Sequence, residues 1–382
     1  MHSKKIIYLI VGILLVTSVA YAANTIRKNH SIKIFTQAMS SSNGFSEDVM
    51  LYRKLLNDVG AAQAQEVISR LLPNDSKSHM LNHETGRFLY EHGGINGVQQ
   101  CKTYFADSCY HGFISAVLLD RGLIETNKIL AACKMGVQRD QQMQCAHGIG
   151  HGFLENVGYD KLPKALDLCA QTFAQDKKSA ENCYDGVFME NDFGEFNRAP
   201  ADRWYRSDDP MYPCNILAVL DKPGAHDYCW FMQSQATLRI DQYPHLKGDP
   251  VLVAMYCDTL KDAHDHSSCF MGLARQIQVD NRNNKDAIQT VCATLGKKHA
   301  NQCMWDAAEA AYIYGERDSG IFHVCEIEKG SEASGCYDTL FEAIGISYSE
   351  DNERITACND IPNMKYRASC KTWVKSPAAK EI

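Results

Sequence analysis

No Cys-x-x-Cys pair, no Cys-x-x-Cys-His haem attachment, no His-Glu-x-x-His and no Gly-x-Ser-x-Gly occurs in the 382 residues. These absences remove dithiol redox chemistry, covalent haem, the common zinc-peptidase helix and the hydrolase elbow from consideration. A phosphate-binding glycine-rich loop is also missing. Lysine and arginine number 39 against 46 acidic residues, for a net charge of −7, and they form no cluster. A surface that neutralises phosphates is therefore lacking, and nucleic acid is not an expected partner. The acidic run Asp202 to Asp209 lacks the glycine and spacing of an EF-hand loop. No Pro/Gly/Ser-rich linker divides Cys101 from Cys370, although the length would serve two or three ordinary domains.

Long apolar runs are equally scarce. One, Ile6 to Val19, follows Met1-His2-Ser3-Lys4-Lys5 and leads to Ala20-Tyr21-Ala22, small residues at the two positions a signal peptidase reads. Residues 1–22 thus read as a cleavable export signal. The run approaches the roughly 17 residues needed to span a bilayer, so an uncleaved membrane anchor over 6–22 is the alternative and the one expected membrane contact. The remainder is expected in the periplasm or secreted, where disulfides persist. Residues 23–44 are polar and poorly patterned and read as a tether.

Cysteine is what the chain has in quantity. Sixteen fall into eight consecutive pairs: Cys101 with Cys109, Cys133 with Cys145, Cys169 with Cys183, Cys214 with Cys229, Cys257 with Cys269, Cys292 with Cys303, Cys325 with Cys336 and Cys358 with Cys370. The step from one pair to the next is 32 to 45 residues, the length of one helix-turn-helix unit. The fold class expected is all-α, an αα-hairpin solenoid of about eight stapled repeats over 101–375 with a short tail, 376–382. A helical cap over 45–100 precedes it, with helices over Glu47–Val59 and Ala61–Leu72. Each second cysteine is expected to open the second helix of its hairpin. Bonding within pairs would close short loops at roughly 2 to 3 kcal/mol each, although crossed connectivities stay open.

One unit illustrates the pattern. Asp160 caps a first helix with apolar Leu162, Leu166 and Cys169 on one face; Gln171 to Asn182 reads as a turn, and Cys183 opens the second helix with Tyr184, Val187 and Phe188. The repeat lengthens around Cys214, adding Glu190–Pro213 and Asp241–Asp249, whose Phe193, Phe196, Trp204 and Tyr205 would suit a partner surface or simply a solvated loop.

Chemistry gathers two residues after the second cysteine. Cys109-Tyr110-His111-Gly112 is followed by Cys145-Ala146-His147-Gly148-Ile149-Gly150-His151-Gly152 and by Cys183-Tyr184-Asp185-Gly186. Ser78-His79-Met80-Leu81-Asn82-His83 fits the same frame, with Lys77 in the cysteine's place. Histidines four apart share a helical face and can bind one metal. His79, His111, His147 and Asp185 would then form a column, with His83 and His151 beside it. A site drawn from two adjacent repeats is expected rather than four histidines on one ion, because helices pack about 8 to 10 Å apart. Asp185 and Glu190 are the candidate catalytic carboxylates. Glu190 is better suited to a base or an indirect role than to ligation, since Met189 matches His151 in the frame. Structural histidines, held to a carbonyl or hydroxyl without metal, are the plainer reading. His264-Asp265-His266, in an expected turn, reads as solvated.

The Cys-x-x-Gly helix starts, such as Cys109-Tyr110-His111-Gly112 and Cys269-Phe270-Met271-Gly272, resemble those of disulfide-stapled Sel1-like and tetratricopeptide-like repeats over Cys101 to Cys370, without either family's regular glycine and alanine signature. The resemblance implies αα-hairpins and a binding surface and carries over no catalytic residue. Two functions are expected from this. The first is an exported repeat protein binding a protein, peptide or glycan through its concave face. The alternative is a metal-dependent (Zn or Cu) enzyme or metal carrier using the early histidines.

Overall fold

Short polar residues ahead of apolar spacing begin helix after helix. The computed structural model describes residues 2–42, 44–73, 76–102, 104–105, 107–134, 139–194, 203–222, 224–239, 242–281, 284–313, 325, 331–348, 351–376 and 379, among which there is no strand. The helices are α1 His2–Met39, α2 Phe45–Val59, α3 Ala61–Leu71, α4 Ser76–Gly93, α5 Ser108–Arg121, α6 Thr126–Lys134, α7 Arg139–Val157, α8 Leu162–Thr172 and α9 Lys177–Phe193. There follow α10 Leu217–Leu220, α11 Ala225–Thr237, α12 Pro250–Cys257, α13 Ala263–Asp280, α14 Lys285–Thr294, α15 Ala300–Ile313, α16 Ser331–Ser347, α17 Asp351–Ala357 and α18 Met364–Trp373. None among the described residues is long and apolar enough to cross a membrane.

The helices that carry each second cysteine up to Cys336, with α4 ahead of them, form one packed row in chain order, α4, α5, α7, α9, α11, α13, α15 and α16. Helices carrying first cysteines, α6, α8, α12 and α14, each lie against the next member of that row. Leu162, Leu166 and Cys169 of α8 meet Val187 and Phe188 of α9 in the continuous core. This is the all-α, disulfide-stapled solenoid that the cysteine rhythm implies.

All eight disulfides join sequential partners. Cys101 bonds Cys109, Cys133 bonds Cys145, Cys169 bonds Cys183 and Cys214 bonds Cys229. Cys257 bonds Cys269, Cys292 bonds Cys303, Cys325 bonds Cys336 and Cys358 bonds Cys370. Their Cα atoms stand 5.4 to 6.3 Å apart, and no cysteine is free, so the crossed connectivities are excluded. Eight such bonds place the chain in an oxidising, extracellular or periplasmic setting.

Several boundaries differ from expectation. From Cys145 onward the second cysteine lies inside its helix and does not open it. Cys183 stands six residues into α9, because the Asp176 side chain accepts the Ser179 amide at 3.1 Å and starts the helix at Lys177. Gln171 to Asn182 is accordingly helical except at 173–176. Cys229 falls within α11, which begins at Ala225; Cys303 within α15, from Ala300; and Cys336 within α16, from Ser331. Each is therefore held on the helix flank by the turn before it, where its bond can reach the preceding first cysteine.

Asp262 likewise accepts the His264 and Asp265 amides at 2.8 and 3.2 Å and draws His264-Asp265-His266 into the first turns of α13, ahead of Cys269. Asp160 does not cap α8; it sits in a 3-10 turn, Tyr159–Lys161, ahead of it. In the fourth repeat the first helix shrinks to the four residues of α10, which follow Cys214. Residues 23–39, expected as a tether, continue α1. Phe35 is 3% exposed, and Lys28 Nζ donates to the Val59 carbonyl at 3.1 Å, so this stretch is docked on α2. Phe196 and Asp241 lie outside the described residues.

Several glycines of the row face the backbone of a neighbouring helix. A Cβ on Gly112 would fall 2.1 Å from the His83 carbonyl, and one on Gly150 would fall 2.0 Å from the Cys183 carbonyl. Helix-on-helix approach of this kind accounts for Gly150, while Gly148 and Gly152 leave room for the Ile114 and Leu118 side chains, 2.8 and 2.6 Å from an added Cβ, despite the roughly 1 kcal/mol each glycine costs inside a helix. It also brings the polar inner edges of α4, α5, α7 and α9 within side-chain contact.

Candidate metal centre

Five histidines converge where those four helices meet. His79 and His83 stand one turn apart on α4, His111 on α5, and His147 and His151 one turn apart on α7, while α9 supplies Asp185 and Glu190. The ring centroids step along the row at 5.0 Å (His79 to His111) and 4.7 Å (His111 to His147), and His111 stacks on His151 at 4.4 Å. The column inferred from the cysteine frame is thus a physical contact series. His83, His111, His147 and His151 are all buried. Each set of three histidines whose nitrogens gather comes from two adjacent helices of the row, as expected for a single ion.

Hydrogen bonds fix the ring orientations. His147 Nδ1 lies 3.0 Å from an Asp185 carboxylate oxygen, and His151 Nδ1 lies 2.8 Å from Glu190 Oε2. Tyr159 donates its hydroxyl proton to the other oxygen of Glu190. With their Nδ1 hydrogens directed at carboxylates, His147 and His151 turn their Nε2 atoms toward each other, 3.0 Å apart. His79 points Nδ1 at the Phe105 carbonyl at 2.9 Å, and its Nε2 faces His111 Nδ1 at 3.2 Å. His83 Nε2 and His111 Nε2 are buried without a hydrogen-bond partner among the described residues.

Burial favours the neutral form of His79, His83, His111 and His151. Burial, followed by the charge of His151, pushes His79 down to about 3. Burial first and neighbouring histidines second hold His83, His111 and His151 well below the usual imidazole range. Neutral imidazole is the ligating form. Nitrogens of two sets, His79/His83/His111 and His111/His147/His151, all lie within 4.8 Å of one another in each set.

Asp185 and Glu190 enter as partners of histidines rather than as free carboxylates. Glu190 escapes the cysteine frame because it is one residue beyond the position matching His151, a rotation of about 100° on a helix that carries it to the ring's far nitrogen. Tyr159 and the Phe105 carbonyl have no signal in the sequence, since neither follows the repeat. A third group, His226, Asp227 and Asp265, also comes together. Burial opposes the charge on His226, but the hydrogen bond from His226 to Asp265 outweighs it and raises its pKa, so this group is an ion pair between repeats. His266 and His299 flank Asp258 at 3.4 and 3.1 Å as a similar surface link. The later frame positions hold buried Phe231, half-buried Met271 and Trp305, and exposed Asp338 and Thr372. Comparison with family profiles, curated proteins and solved structures finds no match for this chain.

Proposed function

We propose that this exported solenoid holds a divalent transition metal, Zn or Cu, on its histidine column, with His111, His147 and His151 as ligands. One observation carries the reading: His147 and His151 present their Nε2 atoms to each other at 3.0 Å while both Nδ1 atoms are turned onto carboxylates. Two facing lone pairs repel unless a cation lies between them. A proton there would make one ring an imidazolium, which burial, followed by the His147 charge, disfavours at His151, whereas a metal ion takes both lone pairs at once. Two imidazoles on one ion at about 2.0 to 2.1 Å place their nitrogens roughly 3 Å apart. The carboxylate–histidine pairs match the outer contacts that orient metal-bound imidazoles and raise their basicity.

Asp185 and Glu190 are each engaged with an imidazole, which favours holding or carrying a metal over a role for either as general base. The lengthened central loops give less support to partner binding. Trp204 stacks on Tyr212 at 5.9 Å, and Tyr205 donates to the Gln242 carbonyl, so both aromatics are used within the fold. An export signal over 1–22 completes the proposal, the disulfides being its support.

Metal content tests the reading. Protein purified with its disulfides intact from an oxidising compartment should carry Zn or Cu, or take it up after stripping. His147→Ala should lose it while keeping its helical content. A wild-type chain that neither carries nor takes up either ion would overturn the proposal.

A further inference from the structure

We propose that the column accommodates two metal ions, and that His111 is a ligand to both, one through each ring nitrogen. The inference rests on the metal reading above and extends it from one position to two. The five histidines do not form one ligand set. Their nitrogens fall into two sets within 4.8 Å, His79/His83/His111 and His111/His147/His151, which have only His111 in common. One ion at ordinary metal–nitrogen distances cannot gather all five, and the histidines outside one set already constitute most of the other.

Unpartnered buried atoms point the same way. His83 is 6% exposed and His111 1% exposed, and the Nε2 of each is buried without a hydrogen bond. Such atoms in a packed interior call for a partner. Nothing in the second set explains His83, which stands on α4, away from His147 and His151 on α7. His79 is already fixed for ligation. Its Nδ1 hydrogen goes to the Phe105 carbonyl at 2.9 Å, leaving Nε2 as a lone pair 3.2 Å from His111 Nδ1.

The proton balance follows from these contacts. In the metal-free column His111 carries its single proton on Nδ1 and donates it to His79 Nε2. An ion entering among His79, His83 and His111 takes that place, and the proton leaves to solvent. His111, now an imidazolate, gives Nδ1 to this ion and Nε2 to the ion held by His147 and His151. Copper(II) and zinc(II) both suit all-imidazole sets. The two positions are unequal. The second set has Asp185 and Glu190 behind its rings, whereas His79 has only a carbonyl, so the second position should fill first.

Titration of stripped, disulfide-intact full-length protein with copper(II), followed by calorimetry and elemental analysis after dialysis, should show two equivalents bound in two steps. His83→Ala should keep the tighter step and lose the weaker. In the fully loaded wild type the copper electron paramagnetic resonance signal should fall below that of two isolated ions, because an imidazolate couples their spins. A single equivalent in the wild type would overturn the two-ion proposal and leave the metal reading standing, as would an unchanged stoichiometry in His83→Ala. No binding at all would sink both. The wild-type count does not depend on any variant folding.

Discussion

Gly186 approaches the His147 carbonyl so closely that a Cβ built on it would fall 1.9 Å from that oxygen. The contact joins α9 to α7 at the residue that bears a metal-site imidazole, so packing and site share one point. Gly186→Ala must force the helices apart, and overpacking of this kind costs about 1 to 3 kcal/mol. The variant should melt earlier and bind metal more weakly than wild type. Gly93→Ala, where an added Cβ meets nothing within 4 Å, should do neither. Thermal melts with and without metal compare the two, and equal behaviour would show that the close approach does not position His147.

Asp185 and Glu190 should act on the metal through the rings they hold. Asp185→Asn and Glu190→Gln retain shape while removing the negative charge opposite His147 Nδ1 and His151 Nδ1. Loss of such an outer partner lowers metal affinity about 10- to 100-fold. Competition with a calibrated chelator measures the change. Affinity within about twofold of wild type in both variants would mean the carboxylates are merely buried neighbours.

Staples should matter locally, because each repeat contacts only its neighbours. Replacing Cys358 and Cys370 by alanine opens a loop of sequence separation 12 at the far end of the row, at a cost of about 3 kcal/mol. That variant should fray at its C-terminal end and bind metal normally. The same double replacement at Cys133 and Cys145, also separated by 12, frees α7 two residues before His147 and should weaken metal binding as well. Denaturation followed by circular dichroism, alongside metal titration, separates the outcomes.

The cysteine spacing made the repeat, the all-helical class and the histidine column readable, because a staple must recur at one place in every hairpin. Helix starts are less legible, although their signals are in the chain. Asp176 and Asp262 are ordinary capping residues, but the polar stretches after them looked like turns because one face of each helix is solvated. What the glycines accommodate could not be read at all. The Cys183 carbonyl over Gly150 is set by the approach of two helices, which no single segment encodes. The docking of 23–39 depends similarly on α2 offering the Val59 carbonyl to Lys28.

Away from the histidines, α15 buries two carboxyl groups whose titration should govern stability at alkaline pH. Burial raises Asp306 to about 7, with Gln302 donating to it, and burial together with the charges of Asp306 and Glu342 raises Glu309 to about 8. Both folded values lie above their ordinary ones, 3.8 and 4.5, so across the interval from there to about 8 the native chain keeps protons that the unfolded chain has released. Stability from these groups is therefore fully present in acid and falls as pH rises, by up to about 1.4 kcal/mol per pH unit for each group. The depressed histidines act in the opposite sense, weakening the metal-free protein as pH drops from 6.5 toward about 3. Metal-free wild type should accordingly be most stable near the middle of the range. Glu309→Gln, neutral at every pH, should flatten the fall from about 6.5 to about 8 and steepen the rise between about 4.5 and 6.5, where Glu309 opposes the histidines. Melting temperatures from about pH 4 to 9 provide the comparison, and an alkaline limb as steep in Glu309→Gln as in wild type would rule out this carboxyl as its source.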